Sequence, residues 1–372
     1  MKSESKRDAR PTARPMVLAA TAAATATALA VTTLPAAAQS AAPAAAPASS
    51  VTIYGLFDAA MREANNASAN RQRLRTMEDG IFTGSRLGLR GREDLGGGLV
   101  AVFTLESGYD PSTGTSLQGT PSGDFGQATA PTRFWGRESH VGLRTAWGGV
   151  TLGRQYTVAH GLAARFQPLG NPNSAAHSLF SSHHIARQDN QVRFDAKAAG
   201  VDWAASTTFG EQAATSANSS WAFGAGYAQG ALALGAYVQQ MKNLAGTETR
   251  KIVGAGGNYR FAPVFQLFAG VMQRTSAVSV QENLAFTIGA NIRLTEQSTL
   301  SVAHYDDEQS GSAALDGSRQ VSWVTVNYAF SRRTDLYAVV DTNVVEGGYA
   351  KPAFMGTKGS QTGLALGLRH RF

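Results

Sequence analysis

Short segments of alternating residue character run through most of the chain, and they limit the folds that it can adopt. From residue 51 onward, apolar side chains recur at every second position in runs of roughly ten residues, the length of a membrane-crossing strand. Helical periodicity is nearly absent there. Because alternate residues of a strand point to opposite faces, the pattern predicts an all-β protein. We predict sixteen strands, at residues 51–58, 84–93, 98–108, 134–145, 149–155, 186–196, 201–209, 220–228, 231–242, 251–260, 264–274, 283–293, 298–306, 320–330, 334–342 and 362–372.

The connections between these segments alternate between short and long. The short ones are 94–97, 146–148, 197–200, 229–230, 261–263, 294–297 and 331–333, and the long ones are 63–83, 109–133, 156–185, 210–219, 243–250, 275–282, 307–319 and 343–361. A transmembrane barrel needs this arrangement, because its turns are short on one side of the membrane and its loops long on the other. A soluble sandwich or propeller, the alternative all-β fold, has no reason to alternate in this way. The sequence therefore predicts a 16-stranded antiparallel transmembrane β-barrel over residues 51–372.

The last predicted strand has one face for lipid and one for water. Leu364, Leu366 and Leu368 alternate with small residues, and Arg369 and Arg371 follow on the polar face before the chain ends at Phe372. Closing a barrel requires the last strand to pair with the first, because an open sheet edge is not tolerated in lipid. We expect this strand to close the barrel.

The first 38 residues predict a secretory signal peptide. Five basic and two acidic residues precede a stretch rich in Ala, Val and Leu, and Ala36, Ala37 and Ala38 supply the small residues of a cleavage site. Removing 1–38 takes five of 33 basic and two of 26 acidic residues away, which lowers the net charge from +7 to +4. That mild excess gives no support for nucleic-acid binding. Residues 39–50 are expected to be a flexible Ala/Pro-rich leader, and the absence of Cys excludes disulfides and thiolate metal sites.

Four short motifs resemble the Gram-negative general porins: Val51–Gly55, Ser85–Leu99, Val150–Tyr156 and Gly367–Phe372. The resemblance implies a homotrimer of sixteen-stranded barrels in the outer membrane, a water-filled channel for passive diffusion of small hydrophilic solutes, and no enzymatic activity or cofactor. It also implies contact with outer-membrane lipid and lipopolysaccharide, recognition of Phe372 by the outer-membrane assembly machinery, and a third loop, here 156–185, that folds inward and narrows the pore.

Arginines on the predicted strands are the candidate pore-lining residues. Arg86 and Arg90 share one face of the second strand, and alternation places that face toward water, because Arg at mid-bilayer depth costs about 2–4 kcal/mol on a barrel exterior. The same reasoning points Arg137 and Arg187 inward. In the porin family, arginines at the matching places of the second, fourth and sixth strands form a basic wall opposite the third loop. Arg154 and Arg193 are weaker candidates for this wall.

The third loop departs from the porin pattern, in which acidic residues oppose the basic wall. Residues 156–185 contain no Asp or Glu, and their ionisable side chains are Tyr156 and the expected constriction-loop residues Arg165, His160, His177, His183 and His184. We therefore predict a pore that prefers anions, and more strongly at acid pH if the imidazoles titrate near about 6.5. Acids elsewhere in the lumen, such as Asp58, Asp189 or Asp195, would oppose this preference.

Other functions have weaker support in the sequence. The histidines of the third loop match no common metal-ligand spacing, and we predict no metal. Gly254–Gly257 superficially resembles a phosphate-binding loop, but no helix follows, and close strand packing explains it better. A barrel hydrolase would need a catalytic signature that the chain lacks. A substrate-selective channel with the same fold remains the main alternative.

Overall fold

The computed structural model describes residues 49–119, 124–127 and 132–372; the expected signal peptide and the leader up to residue 48 lie outside this part. Within it, eighteen strand segments form one sheet. They are β1 Ser50–Ala64, β2 Leu74–Asp79, β3 Arg86–Gly96, β4 Leu99–Tyr109, β5 Ser116–Leu117, β6 Glu138–Arg144, β7 Gly148–Tyr156, β8 Arg187–Ala198, β9 Val201–Thr208, β10 Ser220–Gln229, β11 Leu232–Lys242, β12 Thr249–Ala262, β13 Phe265–Ser276, β14 Glu282–Arg293, β15 Ser298–Ser310, β16 Gly317–Ala329, β17 Thr334–Gly347 and β18 Ser360–Arg371.

The sheet closes on itself as an antiparallel barrel. β1 pairs with β18 from Leu56↔Arg371 to Ala64↔Gly363, and Phe372 and Gly55 exchange both backbone hydrogen bonds at 3.1 Å. Two barrel positions are each made of two segments: β2 and β3 both pair with β1, and β5 and β6 both pair with β4. The eighteen segments of the described residues therefore make sixteen barrel strands.

Each of the sixteen predicted strands overlaps an observed strand, and the largest differences lie at the strand ends that the long loops join. β1 continues to Ala64, six residues past its predicted end, and β2 lies inside the predicted long connection 63–83. The fourth strand is shorter than predicted, and β5 was missed. Charged residues occur on both faces of β1 and β2 at this end, so apolar alternation does not mark the strands there.

Alternation separates the lumen from the outer surface. In β18, Leu364, Leu366 and Leu368 are exposed on the outer face, whereas Ala365 on the lumen face is buried. A tyrosine on β17 explains one of the small residues, because a Cβ on Gly367 would overlap the ring of Tyr337. No helix of the described residues is long and apolar enough to cross a membrane.

The connection between β7 and β8, residues 157–186, lies inside the barrel and supplies much of the buried core. It contains a short helix, α1 Val158–Ala163, and single 3₁₀ turns at Ala164–Phe166 and Phe180–Ser182. Thr157 caps α1, because its side-chain oxygen accepts a hydrogen bond from His160 N at 3.1 Å. We call residues 157–186 the constriction loop. Its buried apolar residues pack into one cluster with side chains of the barrel wall.

Candidate functional site

A cross-strand row of glycines provides the surface on which the constriction loop sits. Gly226, Gly235, Gly256 and Gly270 lie directly opposite one another on β10 to β13, and we call them the glycine row. Phe166 fills the space above it: a Cβ on Gly270 would lie 2.7 Å from Phe166 Cβ, and one on Gly256 would lie 2.9 Å from Phe166 Cγ. Four neighbouring strands thus have glycine at the positions where the loop packs most closely against the barrel wall.

Two histidines attach the end of the loop to the wall formed by β15 and β17. His183 Nε2 donates to Asp307 Oδ2 at 2.7 Å, and His177 Nε2 lies 3.3 Å from Asp341 Oδ2. Both carboxylates are fully buried, and Asp341 also forms an ion pair with Arg62 at 2.8 Å. We call these two His–Asp contacts the clasp. They place two wall acids beneath the loop instead of in the open lumen.

The three main candidate arginines converge on the side of the lumen next to the base of the loop. Arg137 donates to Glu106 Oε1 at 2.6 Å, and Arg86 Nη1 lies 3.9 Å from the same oxygen. The Tyr156 hydroxyl accepts from Arg137 Nη2 at 2.8 Å and from Arg187 Nη2 at 2.5 Å. The structure therefore brings Arg86, Arg137 and Arg187 into one connected group.

The remaining candidate arginines extend this group along the same side of the barrel. Arg90 lies over the Tyr54 ring at 4.0 Å, and Tyr54 donates to Glu106 at 2.8 Å. Arg154 donates to Asp189 at 2.7 Å, and Arg133 binds the same carboxylate. Arg193 binds Asp195 through two guanidinium nitrogens. We call the six predicted residues, Arg86, Arg90, Arg137, Arg154, Arg187 and Arg193, the basic wall.

Loop residues near the basic wall are uncharged or weakly basic. The His160 ring stacks on Tyr156, with ring centroids 5.0 Å apart and planes 6° from parallel. Asn173 reaches the neighbourhood of Arg137, since a Cβ on Gly84 would touch both side chains, at 2.8 Å from Asn173 Oδ1 and 3.0 Å from Arg137 Nη1. An open cavity of about 760 Å³ lies between the loop and strands β6 to β9; its lining includes Arg193 of the basic wall and also Arg165 and Asp202.

The other predicted loop residues do not face the basic wall. Arg165 reaches the adjoining strands β9 to β11, where it pairs with Asp202 on β9 at 3.0 Å and donates to Leu234 O at 3.1 Å. His177 and His183 form the clasp, and His184 lies behind His160, with 3.2 Å between His184 Nε2 and His160 Nδ1. Among the contacts that the structure describes for the four loop histidines, only those of His160 reach Tyr156 and the arginines that bind it.

The expectation that the loop histidines titrate near pH 6.5 is wrong for three of them. Burial lowers the pKa of His184 to about 3, with a smaller contribution from His183. Desolvation also lowers the pKa of His160 well below its ordinary value, and nearby His184 and Arg187 add to the effect. For His183, desolvation outweighs the opposing effect of Asp307, so its pKa is lowered as well. His160 and His184 therefore stay neutral in mild acid.

Several residues of the site carry no signal in the sequence. Tyr156 and Glu106 connect the arginines, but a single tyrosine or glutamate in a strand has no distinguishing pattern. The glycine row is visible in part, because Gly254–Gly257 stands out as glycine-rich. The function of this glycine-rich segment becomes clear only from the neighbouring strands, which place Gly235 and Gly270 on either side of Gly256.

Comparison with known proteins gives a consistent result. A family model described as Gram-negative porin matches residues 23–347. The chain is 26% identical over 344 residues to the major outer membrane protein P.IB of Neisseria meningitidis serogroup B, covering 87% of this chain and 95% of the relative. It is 33% identical over 162 residues to an outer membrane porin protein of Bordetella pertussis, a match that spans 39% of each protein. The structure of an anion-selective porin from Comamonas acidovorans is similar in fold, with TM-score 0.71, 23% identity, and coverage of 87% of this chain and 100% of that one.

Proposed function

Because the chain belongs to the Gram-negative porin family and forms an outer-membrane channel for passive diffusion, we propose that it passes small hydrophilic solutes with a preference for anions. The observation that carries this proposal is the pairing of a basic wall with a constriction loop that contains no Asp or Glu. A permeating anion therefore passes arginines on one side and meets no carboxylate on the loop. Selectivity in such pores follows from the charges that line the narrowest part.

The acids of the lumen offset only part of this field, because Glu106, Asp189 and Asp195 are fewer than the arginines around them. Asp307 and Asp341 are buried under the loop by the clasp, and Asp58 is fully buried, where it accepts hydrogen bonds from Tyr337 and Thr83 at 2.7 Å. On the wall itself, Glu106 is shared by Arg86 and Arg137, and Asp189 by Arg133 and Arg154. Arg187 interacts instead with the neutral Tyr156 hydroxyl. The fold neighbour from Comamonas acidovorans is described as an anion-selective porin, which supports the same direction for this chain.

Reversal potentials of the purified protein in planar bilayers, under a tenfold KCl gradient, test this proposal. We expect the potential to show greater permeability for chloride than for potassium at neutral pH. A clear preference for potassium would contradict the proposal, and saturation of the current by one solute class would favour the substrate-selective alternative.

We further propose that the channel assembles as a homotrimer, that residues 1–38 are cleaved on export before the leader 39–50, and that the assembly machinery reads the C-terminal strand through Phe372. The resemblance to general porins supports all three, and the pairing of β18 with β1 gives Phe372 a defined place beside Gly55. We also propose contact with outer-membrane lipid and lipopolysaccharide, and the exposed leucines of the outer face support the contact with lipid. Conductance that rises in groups of three equal steps tests the trimer, and N-terminal sequencing of the mature protein tests cleavage after Ala38.

A further inference from the structure

Tyr156 contacts more of the basic wall than its place at the end of a strand suggests. Its hydroxyl oxygen accepts hydrogen bonds from Arg137 and Arg187, at 2.8 and 2.5 Å, and its backbone oxygen accepts one from Arg193 at 3.0 Å. The Arg187 guanidinium also lies over the Tyr156 ring, 4.2 Å from its centroid. One residue therefore binds three of the six arginines of the basic wall.

The chemistry of the hydroxyl suits a position between two cations. Arg137 and Arg187 repel each other, and hydrogen bonds to a shared oxygen hold both in place. A carboxylate in place of the hydroxyl would hold them more strongly, but it would add to the negative charge of Glu106 and offset the charge of Arg187 as well. The neutral hydroxyl orients the two guanidinium groups without placing a further negative charge beside them.

Arg187 depends on this contact more than Arg137 does. Arg137 has a second anchor in Glu106 at 2.6 Å. The Nε of Arg187 is buried and has no hydrogen-bond partner among the described residues, so its hydrogen bond to Tyr156 directs its guanidinium group. Loss of the hydroxyl should therefore release Arg187 first.

The same tyrosine connects the arginines to the constriction loop. Tyr156 directly precedes Thr157, the N-cap of α1, and its ring stacks on that of His160 in the helix. The orientation of the arginines and the position of the loop therefore share one side chain.

We propose that Tyr156 is a positioning residue for ion selectivity: its hydroxyl holds Arg187 and Arg137 in the orientation in which they attract permeating anions. This inference rests on the proposed anion preference and assigns part of it to an uncharged residue.

The variant Tyr156→Phe tests the inference, because it removes the hydroxyl and keeps the aromatic ring that packs on His160. We expect the chloride-to-potassium permeability ratio to fall about twofold, the scale expected when one of several partly screened charges moves. The conductance of the open channel should change little, since the loop keeps its packing. An unchanged permeability ratio would overturn the proposal.

Tyr237→Phe is the matched control. Tyr237 is also a buried tyrosine against the constriction loop, with its ring parallel to Phe166 at 6.2 Å, but its hydroxyl has no hydrogen-bond partner among the described residues. We expect the permeability ratio of this variant to equal that of the unaltered protein. A shift as large as that of Tyr156→Phe would mean that loss of any buried hydroxyl near the loop has this effect, and would contradict the proposal.

A double-mutant comparison shows whether Tyr156 acts through the arginines. Tyr156→Phe is introduced into an Arg137→Gln/Arg187→Gln background, where we expect no further change in permeability ratio, because coupled residues are not additive. A further change of about twofold in that background would mean that Tyr156 acts by another route. The unaltered protein separates the two proposals: potassium preference would reject the proposed function, whereas anion preference that survives in Tyr156→Phe would reject only the positioning role.

Discussion

The constriction loop is flanked by two walls with opposite properties. On β10 to β13 the glycine row removes side chains, and Phe166 packs against the bare backbone of Gly256 and Gly270. On the other side the basic wall keeps long charged side chains, and an open cavity of about 760 Å³ meets this wall at Arg193. One wall therefore packs against the loop, and we propose that the other faces the permeating ion.

The energetics of the two walls differ accordingly. Close packing and buried hydrogen bonds hold the loop, and these contributions depend little on salt. In the basic wall, Arg137 and Arg154 are buried in ion pairs with Glu106 and Asp189, whereas Arg90 is exposed and its interactions are screened. Substitutions on the loop-holding side should therefore alter stability and conductance, whereas substitutions in the basic wall should alter selectivity.

The largest effect is expected at the clasp. Asp341→Asn leaves Arg62 and His177 buried without the carboxylate that both contact, and we expect it to lower the free energy of unfolding by about 3–5 kcal/mol. The thermal unfolding midpoint of the protein in detergent measures this loss. Asp316→Asn, in an exposed turn, is the control and should change stability by less than about 0.5 kcal/mol. Equal effects of the two substitutions would argue against the clasp.

Filling the glycine row should produce the next largest effect. In Gly270→Val the new side chain meets Phe166, because a Cβ there lies 2.7 Å from Phe166 Cβ. We expect a cost of about 1–3 kcal/mol and displacement of the loop, seen as a changed single-channel conductance. The neighbouring Ala269→Val adds the same branched side chain on the exposed outer face of β13 and should leave conductance unchanged. A normal conductance in Gly270→Val would show that the row does not position the loop.

Substitutions of single arginines at the basic wall and at the glycine row should differ in their effect on the permeability ratio. Arg187→Gln should lower the chloride-to-potassium permeability ratio by about twofold, because Arg187 has no carboxylate partner among its described hydrogen bonds. Arg165→Gln should have a smaller effect, since Arg165 lies at the glycine row and its charge is offset by Asp202. Reversal potentials in the same KCl gradient compare them, and a larger effect at Arg165 would reverse our assignment of the walls.

The smallest effect on selectivity is expected from mild acid. Because burial lowers the pKa of His160 well below its ordinary value and that of His184 to about 3, these two imidazoles stay neutral in the folded protein as the pH falls from about 7.5 to about 5.5. These histidines should therefore not increase the chloride-to-potassium permeability ratio over this pH range. Histidines of the unfolded chain titrate near about 6.5. Below that pH the unfolded state binds more protons than the folded state, so the free energy of unfolding decreases. The decrease at pH 5.5 is about 1.4 kcal/mol for each buried imidazole that stays neutral.

Reversal potentials and unfolding midpoints, each measured at about pH 7.5 and about pH 5.5, separate these two outcomes. A variant in which His184 is replaced by Gln is the control for stability, because it lacks one of the buried imidazoles and should lose less stability on acidification. A strong rise in anion preference in mild acid, accompanied by unchanged stability, would instead support titration of the loop histidines in the pore.

The sequence by itself determined the barrel and the approximate place of each strand. The outer face must be apolar and the inner face accept polar side chains, so lipid imposes a period of two that can be read residue by residue, as in Leu364, Leu366 and Leu368. The same constraint points Arg86 and Arg187 inward on β3 and β8. It does not explain Arg137, which precedes β6 and has the parity of the exposed Val141 and Leu143. The alternation of apolar residues is lost at β2, and the sequence therefore failed to predict that strand.

Only the tertiary structure decided what the residues of the constriction loop do. A loop without periodicity can place His183 against Asp307, 124 residues away, or His160 against Tyr156, and nothing in its local sequence distinguishes these partners. Burial then lowered the pKa of histidines that the sequence alone treated as ordinary. Strand orientation follows from a local rule imposed by the membrane, whereas contacts across the lumen depend on the closed barrel, which brings distant residues together.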